Sequence, residues 1–299
     1  MLILICCEQL LAGHGIILFL GVYIMTYAQG LKKGTSSCFI GEVSQENFNL
    51  LATAGISCLE ISGKMPFYEK IDFVSHPEIL AERAKAAGIT LWSVHLPFSK
   101  KHDISSEVKE NRDLAIKLNR DIIEAAGRIG IKVAVLHPSA EPITDEDRPR
   151  RLVLSREAII YLREVADSVG MVLAVENLPR TCLCNKAEEM IALLEGTGAT
   201  VVFDTNHSLI QDNVSFLDEL IDAGIRISSL HISDYDFIDE RHRLPGDGIN
   251  NWNGILSCLE RAGYTGPLMY EVSSCPKERD AISIDGLTQN MDDLAAGRL

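Results

Sequence analysis

From Lys33 onward the chain alternates short apolar runs with longer stretches in which apolar positions recur every three to four residues. The short runs read as buried strands and the longer stretches as amphipathic helices. Strands are expected at Ser36–Ile40, Ser57–Ile61, Thr90–Leu96, Lys132–Leu136, Met171–Val175, Thr200–Phe203, Arg226–Ile232 and Pro267–Val272. Between them the pattern predicts helices over 44–54, 77–87, 105–129, 154–169, 186–194, 214–223 and 252–262, with a last one near 283–296. Ser44 is placed as an N-cap, and Gly55 and Gly88 as helix stops. Eight strand–helix units predict an α/β protein, a single-domain (β/α)8 TIM barrel. A doubly wound open sheet would usually carry a Gly-rich phosphate turn after its first strand, and none is present.

Composition narrows the class without naming a chemistry. A chain of 299 residues can bury a large core, and no low-complexity tract, Pro-rich linker or like-charge block marks a domain boundary. The net charge of −14 is the reverse of what neutralises a phosphate backbone, so nucleic acid is not an expected partner. The eight cysteines include no C-x-x-C pair, and free thiols in a reducing cytosol are expected.

Residues 1–31 differ from the rest. Glu8 is their one charged side chain, and the apolar run from Leu10 to Ala28 nears the length of a membrane span. The basic leading segment and cleavage site of a secretory signal are missing. Lys32 and Lys33 follow, which would weakly favour an anchor with its C-terminal side inward. The preferred reading is a start-site artefact, with Met25 as initiator and a cytoplasmic barrel over 32–299. Anchoring through residues 10–28 is the alternative.

In such a barrel the reacting groups come from the C-terminal ends of the strands. Those ends read Leu59-Glu60-Ile61, Ser93-Val94-His95-Leu96-Pro97-Phe98, Val135-Leu136-His137-Pro138-Ser139, Val175-Glu176-Asn177-Leu178-Pro179-Arg180, Phe203-Asp204-Thr205-Asn206-His207, His231 and Tyr270-Glu271-Val272. After His231 comes a polar loop with Asp234, Asp236, Asp239, Glu240, Arg241 and His242, closing on Pro245-Gly246-Asp247-Gly248. A lone histidine is more often structural, and Glu60 is as readily a structural carboxylate as a functional one. His14, His76 and His102 lie off the pattern. Five histidines converging with Glu176, Asp204 and Glu271 on one rim are harder to explain as scaffolding. Imidazoles and carboxylates packed so densely are costly to bury unless they bind something, and a divalent metal is the simplest partner.

The segments SVHLPF, VLHPS, ENLPR, FDTNH, HISDYD with ERHRLPGDG, and MYEV resemble the xylose isomerase-like superfamily of barrels, from about Thr35 to Leu294. That superfamily includes sugar isomerases and epimerases, inosose dehydratases and apurinic endonucleases. Resemblance to its tagatose-epimerase branch implies an isomerase or epimerase acting on a sugar or sugar phosphate. It implies one divalent ion (Mn, Mg, Co or Zn) held by Glu176, Asp204, His231 and Glu271. Proton transfer would pass through a metal-stabilised enediolate, with Glu176 and Glu271 as the acid–base pair. His95, His137, His207, Arg241 and His242 would bind substrate or a second metal. Together with the four ligands, the histidines of this group also resemble the set that holds a zinc cluster in the apurinic endonuclease branch. That branch has Asp-x-His where this chain has Glu240-Arg241-His242, so a multi-zinc phosphodiesterase is the alternative. A dehydratase-like lyase is another. A non-catalytic sugar-binding barrel is disfavoured, because binding alone needs no acid–base pair. Arg180, Lys100 and Lys101 lie on strand-end loops and could meet a phosphate, though solvated loop charges are the commoner case, and a homodimer is one assembly open by analogy with relatives.

Overall fold

The computed structural model describes residues 3–12, 15–24, 26–274 and 280–299, the first two spans as backbone alone. Ile3–Ala12 and Gly15–Ile24 pair as an antiparallel hairpin. Among the described residues no helix is long and apolar enough to cross a membrane. Met25 and Cys275 lie outside the described residues, as do the side chains of Cys6 and Cys7; Cys38, Cys58, Cys182, Cys184 and Cys258 are free thiols.

Eight parallel strands form the barrel: β1 (Lys33–Ser36), β2 (Cys58–Ile61), β3 (Thr90–His95), β4 (Val133–Leu136), β5 (Val172–Glu176), β6 (Thr200–Asp204), β7 (Ile227–His231) and β8 (Leu268–Tyr270). They neighbour one another in chain order, and β8 returns to β1. The seam between β7 and β8 is joined by Ile232 N donating to Met269 O (2.8 Å) and Glu271 N donating to Ile232 O (3.0 Å). The alternation of patterns therefore produces the (β/α)8 barrel it predicts.

The first strand differs from expectation. It begins at Lys33, and Ser37–Ile40 is a helical turn capped by the Ser36 side chain, which accepts from Cys38 N. Lys33-Gly34-Thr35-Ser36 carries no apolar signal because its inner face must be small. A Cβ on Gly34 would sit 2.9 Å from Met269 Cε, so glycine leaves the room Met269 occupies.

Helix ends also shift. Lys109–Arg128 starts later than the pattern suggests because Asp103 and Ser105 form a buried knot with Arg151: Ser105 N and Oγ donate to Asp103 Oδ1 at 2.9 and 2.8 Å. Arg148–Ser168 starts earlier, with proline in its first turn, and Met65–Lys70 is an additional helix.

Two packing layers follow from strand periodicity. Leu136, Leu173, Val175, Val201, Phe203 and Leu230 join the large core under the helices. Val133, Val135, Ala174 and Val202, with Trp92, form a separate small cluster that floors the barrel interior. Side chains two residues apart share a strand face, so the next inward positions after Val135, Ala174 and Val202 are His137, Glu176 and Asp204. The floor thus ends where the chemistry begins.

Candidate active site

His231, fully buried at the end of β7, is the hub. Its Nε2 faces Glu60, with contacts of 3.1 and 3.2 Å to the two carboxylate oxygens, while Ser93 Oγ donates to Glu60 Oε2 at 2.7 Å. Its Nδ1 faces Glu176 Oε1 (2.9 Å), Glu271 Oε2 (3.1 Å) and, further off, Asp204 Oδ2 (3.8 Å). Glu60 is therefore a buried orienting group: a proton held on Nε2 by Glu60 leaves the Nδ1 lone pair aimed at the other three carboxylates. The sequence could not decide Glu60's role, because the facing of β2 and β7 across the barrel is visible only in three dimensions.

Three further histidines are tethered alike. The Nδ1 atoms of His95, His207 and His242 lie 3.1, 2.9 and 3.0 Å from the main-chain oxygens of Leu96, Asn177 and Glu271. A ring that donates Nδ1–H to a carbonyl presents Nε2 as a lone pair, the arrangement that orients metal-ligating imidazoles. Four groups of ligand atoms occur among the described residues, each within 4.8 Å: His95, His137 and Glu176; Glu176, Asp204, His231 and Glu271; His95, His231 and Glu271; and His207, Glu240 and His242. Glu176 belongs to two of them. Its Oε1 faces His231, and its Oε2 lies 3.0 Å from His137 Nε2 and 3.2 Å from His95 Nε2.

The donor set fits a divalent ion. Glu176 Oε2 and Asp204 Oδ2 are buried and accept no hydrogen bond, since the nearby ring nitrogens are at ion-pair distance without hydrogen-bonding geometry. Such orphaned oxygens are expensive unless a cation satisfies them. Imidazole with carboxylate admits Zn, Co or Mn.

Burial pulls the His95 imidazole down, but the adjacent Glu176 carboxylate outweighs it and raises the group to about 9. His242 is likewise raised to about 9, Glu240 overcoming burial. Burial raises Asp204 to about 7. Burial would also raise Glu176 and Glu271, yet in the metal-free protein, where His231 carries a second proton on Nδ1 in place of a metal, its charge holds both below the usual carboxylate range. In chelated protein, native His95 and His242 hold protons that the unfolded chain, near its ordinary value of about 6.5, releases. That stabilisation is complete below about pH 6.5 and is lost as pH rises through 9. Metal-free protein is therefore expected to melt at a lower temperature at pH 9 than at pH 6.5. A flat or rising melting curve would contradict this electrostatic picture.

Two asparagines from the sequence segments lock the rim. Asn177 Oδ1 accepts from Asp204 N (2.7 Å) and its Nδ2 donates to Asp204 O (2.8 Å); Asn206 Oδ1 accepts from the main chain of Arg241 (3.0 Å) and His242 (3.2 Å). Asp234, grouped in the sequence with the loop carboxylates, is wholly buried and structural. Its Oδ1 accepts from Tyr235 N and Asn250 N, and its Oδ2 from Gly246 N and Trp252 Nε1, all between 2.9 and 3.1 Å. Arg241 turns back into its own loop, Nε donating to Asp236 Oδ2 at 2.6 Å, and is not among the residues lining the cavity. His76 and His102 lie away from the cluster, as the pattern implied.

Above the cluster opens a cavity of about 310 Å³, lined among others by His95, His137, Glu176, His207, His242 and Glu271. Phe98 stacks on His137 with ring centroids 3.7 Å apart and is 43% exposed. No role was assigned to Phe98 from the sequence, where only its place in SVHLPF marks it.

Fold and rim together define a (β/α)8 barrel whose strand ends carry a carboxylate–imidazole cluster. A family model described as xylose isomerase-like TIM barrel matches residues 48–288, and the chain belongs to that family. Two uncharacterized proteins of Methanocaldococcus jannaschii are similar. One is 26% identical over 196 residues, covering 63% of this chain and 66% of that one; the other is 22% identical over 171 residues, covering 57% and 66%. The matches thus span just under two thirds of these relatives' length. Among solved structures, a D-tagatose 3-epimerase-like protein superposes with a TM-score of 0.74 at 22% identity, covering 90% of this chain and 99% of that one. D-psicose 3-epimerase from Clostridium cellulolyticum H10 gives 0.71 at 22% identity, covering 88% and 96%. The 3-keto-D-glucoside 4-epimerase of E. coli gives 0.70 at 19%, covering 88% and 98%. At such identities the likeness is one of fold.

Proposed function

We infer that the protein is a divalent-metal-dependent sugar isomerase or epimerase. The observation that carries this reading is the convergence of Glu176, Asp204, His231 and Glu271 beneath a small cavity that both glutamates line. Its volume of about 310 Å³ is at the lower end for small-molecule sites and accommodates a ligand of monosaccharide size. Family membership and the sugar epimerases among the structural neighbours support it.

An ion held by the four ligands would supply Lewis-acid polarisation of the substrate's oxygens. The chain's own residues do the rest. Glu176 and Glu271 are both ionised, the state a general base needs. Glu271, with 19% of its side chain exposed, is the more open of the two and takes the proton from the carbon beside the carbonyl. Passing that proton from Glu271 to the neighbouring carbon gives isomerisation; epimerisation requires Glu176 in its protonated form, giving its own proton to the same carbon from the opposite face while Glu271 keeps the one it took. His207 and His242 bind hydroxyls through Nε2.

A multi-metal phosphodiesterase is the second reading, favoured by the completeness of the His95–His137–Glu176 and His207–Glu240–His242 groups, with Glu240 standing where the endonuclease pattern has Asp. Metal content per chain, measured on protein purified without chelator, separates the two. About one ion per chain, with turnover of ketoses or aldoses, is the expected result, and His95→Ala then leaves that content unchanged. Two or three zinc ions, a lower content in His95→Ala and cleavage of abasic-site DNA would replace the proposal with the second reading. Loss of a hydroxyl from an inosose would mark a lyase instead.

A further inference from the structure

The mouth of the cavity bears on the class of sugar, an inference that rests on the isomerase or epimerase reading above. Arg180 lies at its edge with φ +52°, a left-handed backbone value held by the loop after β5. Its Nε is 3.0 Å from both oxygens of Glu141, its Nη2 is 2.8 Å from Glu141 Oε1, and its Nη1 reaches Asp239 Oδ1 (2.7 Å) and Glu240 Oε1 (2.8 Å). Glu141 belongs to the loop after β4, and Asp239 and Glu240 to the loop after β7. One guanidinium therefore ties three loops across the entrance.

This arrangement has a chemical consequence. Arg180 is the residue a phosphorylated sugar would be expected to use, because guanidinium forks match phosphate. Here each of its nitrogens already faces a carboxylate, so three carboxylates share one guanidinium at the mouth. Lys100, exposed on the loop after β3, also lines the cavity. Phe98 adds an apolar ring face at the same mouth, the kind of surface that packs against the C–H face of a sugar.

We propose that the substrate is an uncharged sugar, admitted beneath the Arg180 latch, and that terminal phosphates are rejected. A phosphate would have to strip Arg180 from three carboxylates and remain among them, which is repulsion acting as selectivity. The test compares kcat/KM of the metal-loaded enzyme for ketopentoses and ketohexoses with that for their terminal phosphates. The neutral sugars are expected to lead by tenfold or more. Glu141→Gln combined with Asp239→Asn frees Arg180 from two of its three carboxylates and is expected to move that ratio toward the phosphates by about tenfold. A ratio unmoved in this variant would overturn the latch. Phosphates turned over as well as the neutral sugars, with that activity lost in Lys100→Ala, would overturn the inference while leaving the isomerase reading standing. No turnover of either kind would overturn the reading beneath it.

Discussion

Glu176→Gln is expected to lower kcat by roughly 1,000-fold, the range lost when a positioned acid–base group is removed. The side chain is wholly buried and belongs to two ligand groups at once. Glutamine keeps the shape but removes the charge, and it must turn an NH2 toward either His231 or the His95–His137 pair. Metal content should fall with activity. The strand itself should survive, because β5 pairs with β4 and β6 through main-chain bonds the substitution leaves alone. Far-UV circular dichroism should therefore be unchanged. Wild-type turnover in this variant would end the assignment of Glu176 as ligand and base. Adding Glu271→Gln should cost little more, since groups that act as a unit are not additive.

Asp234→Asn is expected to destabilise the protein by about 3–5 kcal/mol, although the two side chains have nearly the same shape. Both carboxylate oxygens accept two N–H groups each. An amide has one oxygen, so its NH2 group must face two donors, either Tyr235 N with Asn250 N or Gly246 N with Trp252 Nε1. Nothing nearby can yield easily: a Cβ on Gly248 would already stand 2.3 Å from Asp234 Oδ1. Activity should drop with stability, because this knot closes the loop that carries Glu240 and His242. A melting temperature within a degree of wild type would show that Asp234 is replaceable packing.

The ends of the strands were readable because strand periodicity and position carry the information locally. His95, His137, Glu176, Asp204 and His231 each follow an apolar run, and parity alone puts them on the inner face. What escaped the sequence depends on neighbours distant along the chain. Glu60 differs from any structural carboxylate only because β7 brings His231 to it. Arg180 reads from the sequence as a loop cation, and only the fold brings acids from two other loops around it. Asp234 sat in a run of acids that share a composition but not a fate: it is buried, while Asp236 pairs with Arg241 in the same loop. The first strand escaped because Gly34 makes room for Met269 and so carries no apolar signal of its own.

The small cluster of Val133, Val135, Ala174 and Val202 and the ligands above it stand on one parity of their strands. A strand slipped by one residue exchanges its two faces. Such a slip would therefore send valines toward the helices, push core residues into the lumen and turn the ligands out of the cavity together. Packing and chemistry are written in the same phase of the chain. Proofreading of this fold is consequently proofreading of its site, and a barrel that has closed in register has already assembled its ligands.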